Sequence, residues 1–303
     1  MTADKRRTYR KFLDPEVVSR LTNMDLRARL VVEGFIIGLH RSPYHGFSVE
    51  FSEHRQYMPG DELKHIDWKV YGKTNRFYVK QFEEETNLKS YLLLDASASM
   101  GFKSGRISKL TYASYLAASL TYLMLHQQDS VGLVIFDEKT RKYIPPRAVP
   151  AYLHLILKEL DHLRSGNETD ISKTFHELAE RIKRRGLIIV LSDLFDDPHK
   201  ILSGLKHFRH RKHEVIVFHI LDPMERTFDF KGETIFKDLE TGEELSTQAW
   251  HIRKEYREQM QDFIETYKRR CLENQIDYVL IDTSEPFDKA LFDYLVKRKR
   301  LGG

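Results

Sequence analysis

The 303-residue sequence contains a single cysteine, Cys271, so the chain cannot form an intramolecular disulfide bond. Disulfide frameworks of the kind that stabilise small secreted domains are therefore excluded. The first residues, MTADKRRTYRKF, also lack the apolar stretch of a secretory signal peptide. Together these two absences predict a cytoplasmic protein.

Long hydrophobic runs are missing too. The longest, such as Leu187–Leu191, fall far short of the roughly 20 apolar residues that cross a bilayer, so we expect no membrane span. An excess of one charge is also absent, because 49 basic and 45 acidic residues give a net charge of +4. Nucleic-acid binding usually requires a strongly basic face, and this balance argues against it.

From about residue 88, short apolar segments alternate with longer amphipathic ones. The apolar segments predict strands at Tyr91–Leu94, Val131–Phe136, Thr140–Ile144, Leu187–Leu191, Val215–Leu221 and Tyr278–Ile281. Helical spacing follows at Ile107–Gln127, Ala148–Leu163, Ile171–Arg185, Pro198–Phe208, Trp250–Asn274 and Phe287–Lys297. Strands that are apolar on both faces and alternate with helices are typical of an α/β fold with a doubly wound, mainly parallel sheet.

The chain is predicted to have two parts. Residues 88–303 form the doubly wound domain, with a β-hairpin inserted near 226–247 and its turn at Thr241–Gly242. Pro145–Pro146 is expected to end the third strand, at the sheet edge. Residues 1–87 form an N-terminal extension that packs on this domain. It has one or two helices within Pro15–His40 and short strands near residues 48–51 and 77–82.

Three loops carry oxygen-bearing side chains where the predicted strands end. The strand Tyr91–Leu94 runs into Asp95, Ser97 and Ser99, and the two later loops hold Thr169 and Asp193. Each loop alone also fits a helix N-cap or a simple strand end. In a doubly wound sheet, however, ligands bind outside the carboxyl ends of the strands. Hard oxygen donors from three loops at that edge predict a site for Mg²⁺, or alternatively Mn²⁺ or Ca²⁺.

The string YLLLDASASMG resembles the metal-ion-dependent adhesion site that opens von Willebrand factor A domains. Residues 129–136, 166–170 and 189–193 are similar to the further segments of that domain. The resemblance implies a doubly wound, Rossmann-type fold and direct metal ligation by the hydroxyls of Ser97 and Ser99. It implies that Asp95, Thr169 and Asp193 bind the ion directly or through water. The resemblance also implies that an acidic side chain of a partner protein fills an open position on the metal.

A second, upstream motif is similar to the bacterial domain of unknown function 58 family, which is commonly associated with MoxR-type AAA+ ATPases. It comprises residues 46–51, 55–61, 66–69 and 79–85. The resemblance implies a MoxR-type ATPase, or its client, as partner. From the residues alone, two interpretations stay open. The motif forms either an ion-pair and aromatic cluster that fixes this segment to the main domain, or a partner-binding surface, through Arg55, Tyr57, Asp61, Asp67 and Trp68.

The resulting prediction is a non-enzymatic, metal-dependent protein-recognition module. One alternative is a metal-dependent phosphoester hydrolase that uses the same carboxylates, with Asp95 or Asp170 as base or nucleophile. Another is a structural domain whose metal site is empty. No P-loop, G-x-G-x-x-G or G-x-S-x-G motif is present. The histidines at 207, 210 and 213 lack a cysteine or carboxylate at ligand spacing, and we interpret them as a solvated basic helix end.

Overall fold

The computed structural model describes residues 14–21, 23–40, 54–56, 71–72, 77–80, 88–166, 171–230, 233–237 and 244–301. Its strands are β1 (His54–Gln56), β2 (Tyr78–Lys80), β3 (Lys89–Asp95), β4 (Ser130–Phe136), β5 (Thr140–Arg147), β6 (Leu187–Ser192), β7 (Glu214–Leu221), β8 (Glu233–Lys237), β9 (Glu244–Gln248) and β10 (Asp277–Asp282). Its α-helices are α1 (Pro15–Ser19), α2 (Met24–His40), α3 (Lys109–His126), α4 (Ala151–Asp161), α5 (Ile171–Arg181), α6 (Pro198–His210), α7 (Pro223–Thr227), α8 (Ala249–Glu273) and α9 (Asp288–Leu301).

Six strands form one central sheet in the order β10-β7-β6-β3-β4-β5. All neighbours are parallel except β5, which runs antiparallel to β4. The chain adds β4 on one side of β3 and β6 on the other, so the strand order reverses between β3 and β6. The predicted α/β class with a mainly parallel sheet flanked by helices is confirmed.

The sheet is buried on both faces, as the continuous apolar strands require. In β3, Leu92 and Leu94 point to the side covered by α2, α3, α4 and α9. Tyr91 and Leu93 point to the other side, which is covered by α5, α6 and α8. The N-terminal helix α2 joins the first of these cores, because Val31 and its neighbours are buried there together with residues of α3.

The edge strand differs from the prediction at Pro145–Pro146. The prolines do not end the strand, since β5 continues through them to Arg147 and pairs there with Val131. Proline is tolerated at a sheet edge, where its missing N–H costs no ladder bond. The opposite residue is Gly132, where an added Cβ would lie 2.6 Å from the carbonyl oxygen of Ile144, so glycine permits the close approach.

The inserted segment also differs in part. Residues Pro223–Thr227 form the short helix α7, so the hairpin begins later than predicted, and β8 and β9 pair antiparallel from Glu233↔Gln248 to Lys237↔Glu244. The predicted turn at 241–242 and strand at 48–51 lie outside the described residues. Helix α5 ends at Arg181, four residues early. Within the described part of the chain, no helix is both long enough and apolar enough to cross a bilayer.

Candidate functional site

Asp95 lies at the carboxyl end of β3 and is fully buried. Its Oδ1 accepts the backbone N–H of Ser97 at 2.9 Å, and its Oδ2 accepts the hydroxyl of Ser192 at 2.5 Å. Burial, together with the nearby charge of Asp193, raises the pKa of Asp95 to about 7. The carboxylate is therefore fixed by its own loop and by the end of β6, with its charge poorly compensated.

The two serines of the first loop bring their hydroxyls together. The Oγ atoms of Ser97 and Ser99 lie 3.1 Å apart, at the start of a 3₁₀ turn over Ser99–Gly101. Two oxygens bound at adjacent corners of a Mg²⁺ octahedron lie about 3.0 Å apart, because each Mg–O distance is about 2.1 Å. The hydroxyl pair thus already has the spacing of two neighbouring magnesium ligands.

Asp193 follows β6 and is also buried, and its Oδ2 accepts a hydrogen bond from the ammonium of Lys109 at 2.7 Å. The same ammonium donates to Oε1 of Glu225 at 2.6 Å and lies 4.6 Å from the centre of the Phe195 ring. Burial lowers the pKa of Lys109, but the charges of Asp193 and Glu225 outweigh this effect, so its pKa is raised. Lys109 is therefore a fully buried, charged side chain shared by two carboxylates.

Glu225 comes from α7 and is held by a capping box with Asp222. Burial raises the pKa of Glu225 to about 7, although Lys109 opposes the shift. Asp222 in turn accepts the backbone N–H and the hydroxyl of Ser104 at 2.8 and 2.5 Å. These bonds tie the loop that follows the two site serines to the end of β7.

His219, in β7, forms a hydrogen bond with the backbone of Asp193. Its Nε2 donates to the backbone carbonyl of Asp193 at 2.8 Å, and its Nδ1 accepts the hydroxyl of Tyr278 at 2.6 Å. Burial lowers the pKa of His219 to about 4, so the ring is neutral near pH 7. The imidazole thus fixes the position of the Asp193 backbone without adding charge to the site.

The loop that leads to Thr169 reaches the same place. The backbone N–H of Gly166 donates to the carbonyl of Ala96 at 2.7 Å, and an added Cβ on Gly101 would lie 2.8 Å from the hydroxyl of Ser165. Thr169 and Asp170 themselves lie outside the described residues. Arg55 is described only as a backbone position in β1, and the remaining residues of the upstream motif, Tyr57, Asp61, Asp67 and Trp68, lie outside the described residues.

The site carries an imbalance of charge. It has three buried or largely buried carboxylates, Asp95, Asp193 and Glu225, and one ammonium, Lys109, which pairs with the last two. When all are ionised, two negative charges lack a partner within this group. No three or more His, Cys, Asp or Glu side chains among the described residues are grouped so as to hold a metal ion. The predicted ligand set differs from such a group because three of its five members carry hydroxyls.

Sequence reasoning missed four residues of this site: Lys109, Ser192, His219 and Glu225. Of these four, only Lys109 occupies a sequence position that could have indicated its role. It occupies the first turn of α3, after the N-cap Ser108, where a positive charge opposes the helix dipole. Such a placement indicates that a tertiary partner holds the ammonium. The other three depend on which strands become neighbours, which a single sequence does not state.

Several known proteins are similar to this chain. Uncharacterised proteins of Mycobacterium tuberculosis and Mycobacterium bovis are 27% identical over 232 residues, which cover 76% of this chain and 73% of theirs. Among solved structures, the conserved hypothetical protein BatB of Bacteroides thetaiotaomicron is 17% identical, with a TM-score of 0.47. An aerotolerance-related membrane protein of Bacteroides fragilis is 18% identical, with a TM-score of 0.48. Each of these two matches spans 69% of this chain and 99% of the solved chain.

The family comparison covers most of the chain. The model described as "Protein of unknown function DUF58" matches residues 53–265. This span includes the upstream motif from Arg55 onward and all five predicted metal-site residues. The chain therefore belongs to the DUF58 family of proteins of unknown function.

Proposed function

We propose that this chain is a von Willebrand factor A-like module that recognises a protein partner through a bound divalent cation, Mg²⁺ in the first place. Ser97 and Ser99 would be direct ligands, and Asp95, Thr169 and Asp193 would bind directly or through water. Bound Mg²⁺ would supply an open coordination position for an Asp or Glu carboxylate of the partner.

One observation carries the proposal: two serine hydroxyls lie 3.1 Å apart in the loop that is fixed to buried Asp95, at a site with three carboxylates and one ammonium, Lys109. The hydroxyls match magnesium spacing, and the uncompensated charge matches a divalent ion. Lys109 occupies one oxygen of Asp193, which leaves few fully charged ligands for the metal. A partner carboxylate would therefore bind to an ion that is still electrophilic.

The proposed partner is a MoxR-type AAA+ ATPase, or a client that the ATPase remodels, as the upstream motif implies. In this role the chain acts as an adaptor or co-chaperone in the cytoplasm and catalyses no reaction itself. The hydrolase alternative needs a carboxylate free to act as base or nucleophile. Both oxygens of Asp95 already accept hydrogen bonds, which argues against that role for Asp95.

A pull-down experiment tests the proposal. The full chain is immobilised and offered the MoxR-type ATPase of the same genome in Mg²⁺ or in chelator. We expect retention in Mg²⁺, release in chelator, and at least a tenfold loss with Ser99→Ala. Ser203→Ala, an exposed serine of α6, is the matched control and should bind like the wild type. Equal retention in chelator and by Ser99→Ala would contradict the metal-dependent mechanism.

A turnover assay separates the module from the hydrolase. The full chain with Mg²⁺ or Mn²⁺ is incubated with generic phosphate mono- and diesters. We expect no turnover above that of the Asp95→Asn variant. Turnover that is lost in Asp95→Asn would favour the enzyme and overturn the proposed role.

A further inference from the structure

Two histidines that belong to no contact of the candidate site meet on the molecular surface. His176 lies on α5 and His207 on α6, and their Nδ1 atoms are 3.0 Å apart. Both rings are partly exposed, with 25% of the His207 side chain open to solvent. The pair therefore lies at the surface of the protein and not in its core.

Close packing of α5 against α6 places the two imidazole rings next to each other. An added Cβ on Gly204 would lie 2.7 Å from the Cβ of Phe175, so glycine lets α6 approach α5 closely. Phe175 and Phe208, the chain neighbours of the two histidines, are buried and pack edge to face with centroids 5.9 Å apart. The imidazoles thus project from two rigid, closely packed elements and not from loops.

A carboxylate orients one of the rings. Nε2 of His207 lies 2.9 Å from Oε1 of Glu180, and Glu180 also contacts Arg211. Arg211 holds the pKa of Glu180 below its usual range, so Glu180 is a carboxylate that accepts the Nε2–H of His207. In the tautomer that has its proton on Nε2, the Nδ1 lone pair of His207 is directed at His176. Metal-binding histidines are oriented by carboxylates in the same way.

We propose that His176 and His207 bind a divalent transition-metal ion of the Zn²⁺ class through their Nδ1 atoms, with water completing the coordination. Two nitrogens bound tetrahedrally to Zn²⁺ lie about 3.3 Å apart, so the pair needs to open by only a few tenths of an ångström. His176 would carry its proton on Nε2 in this state. Imidazole nitrogen suits Zn²⁺, Cu²⁺ and Ni²⁺ better than Mg²⁺, so this site is chemically distinct from the oxygen-lined one and does not depend on it.

Calorimetric titration of the full chain with Zn²⁺, in saturating Mg²⁺, tests the proposal. The wild type should bind one Zn²⁺ whose affinity falls at least tenfold in His176→Gln and in His207→Gln. Glu180→Gln should weaken binding by about tenfold, the effect expected for an orienting carboxylate. His210→Gln is the matched control, because it removes an exposed histidine of the same helix and should leave the affinity unchanged.

Nuclear magnetic resonance of the wild type gives a second readout that needs no variant. Zn²⁺ should shift the Nδ1 resonances of His176 and His207 together, at one equivalent. The proposal is overturned if the wild type shows no saturable Zn²⁺ binding. It is equally overturned if both paired-histidine variants bind as tightly as His210→Gln, which would assign the ion to other histidines.

Discussion

Lys109 is the ammonium that pairs with two of the three carboxylates of the candidate site. It is fully buried, and its ammonium bridges Asp193 and Glu225 at 2.7 and 2.6 Å. A buried charge is stable only while its partners compensate for the hydration that it has lost. Lys109 can therefore stay charged in the interior because two carboxylates pair with it. In the same way, Asp193 and Glu225 need its ammonium to stay ionised there.

Replacing this lysine tests that dependence. Lys109→Met keeps the length of the side chain but leaves two buried carboxylates without their ammonium, so we expect a loss of about 3–5 kcal/mol in unfolding free energy. Adding Glu225→Gln should recover part of the loss, because one uncompensated charge is removed. Urea denaturation of the single and double variants measures both effects. A Lys109→Met variant as stable as the wild type would contradict the buried ion pair.

The raised pKa of Glu225 predicts that the stability of the fold depends on pH. Its pKa is raised from 4.5 to about 7 in the folded chain, so the native state holds the proton more tightly than the unfolded state. This contribution to stability is complete below pH 4.5 and is lost as the pH rises through about 7. The unfolding free energy of the wild type relative to Glu225→Gln should thus fall by about 1–3 kcal/mol between pH 4.5 and 7.5. Parallel stability curves would show that Glu225 does not titrate in this range.

Among the elements, the strands and helices of the main sheet were predictable, and the departures have physical causes. Apolar runs such as Leu187–Leu191 predict central strands because they are buried on both faces. The third strand lies at the sheet edge as predicted, but Pro145–Pro146 does not end it, because an edge strand tolerates proline. His213 was interpreted as solvated, yet it is buried and lies 3.1 Å from the carbonyl of Ile182.

The candidate site was predictable only in its loops. Asp95, Ser97, Ser99 and Asp193 stand at strand ends that a parallel sheet brings to one edge, which periodicity can indicate. Glu225 and His219 enter through the order of β6 and β7 in the sheet, and that order is a long-range property. The bridge that the Lys109 ammonium makes between two carboxylates could therefore not be predicted from the sequence and was seen only in the structure.

The contact between α5 and α6 depends on the absence of a side chain at Gly204. Gly204→Ala places a Cβ 2.7 Å from that of Phe175, so the helices must separate. We expect a loss of about 1–3 kcal/mol in unfolding free energy. Gly105→Ala is the control, because an added Cβ there has no atom within 4 Å, and it should be nearly neutral. Equal stability of the two variants in urea would show that the contact tolerates repacking.

On the scale of the whole molecule, the parallel sheet brings the residues of the candidate site together. The strands β3, β6 and β7 are adjacent and parallel, so the residues that follow them reach the same edge, next to the point where strand order reverses. Helices cover both faces of the sheet, which leaves this edge for ligands. An ion bound there would connect three loops that are distant in the sequence.

Such a connection predicts stabilisation by metal. A ligand that binds only the folded state at a hundred times its dissociation constant adds about 2.7 kcal/mol to the unfolding free energy. The melting temperature of the wild type should therefore rise with Mg²⁺ and return in chelator. The double variant Ser97→Ala with Ser99→Ala should show no rise, whereas Ser203→Ala should behave like the wild type. A rise of equal size in the double variant would locate the ion elsewhere.

The most direct measurement is anomalous diffraction from crystals of the full chain grown with Mn²⁺, which replaces Mg²⁺ and is visible at its own absorption edge. We predict one anomalous peak bonded to the hydroxyls of both Ser97 and Ser99, beside Asp95 and Asp193. A crystal in millimolar Mn²⁺ that shows no peak between these residues would contradict the proposed metal site and the recognition that depends on it.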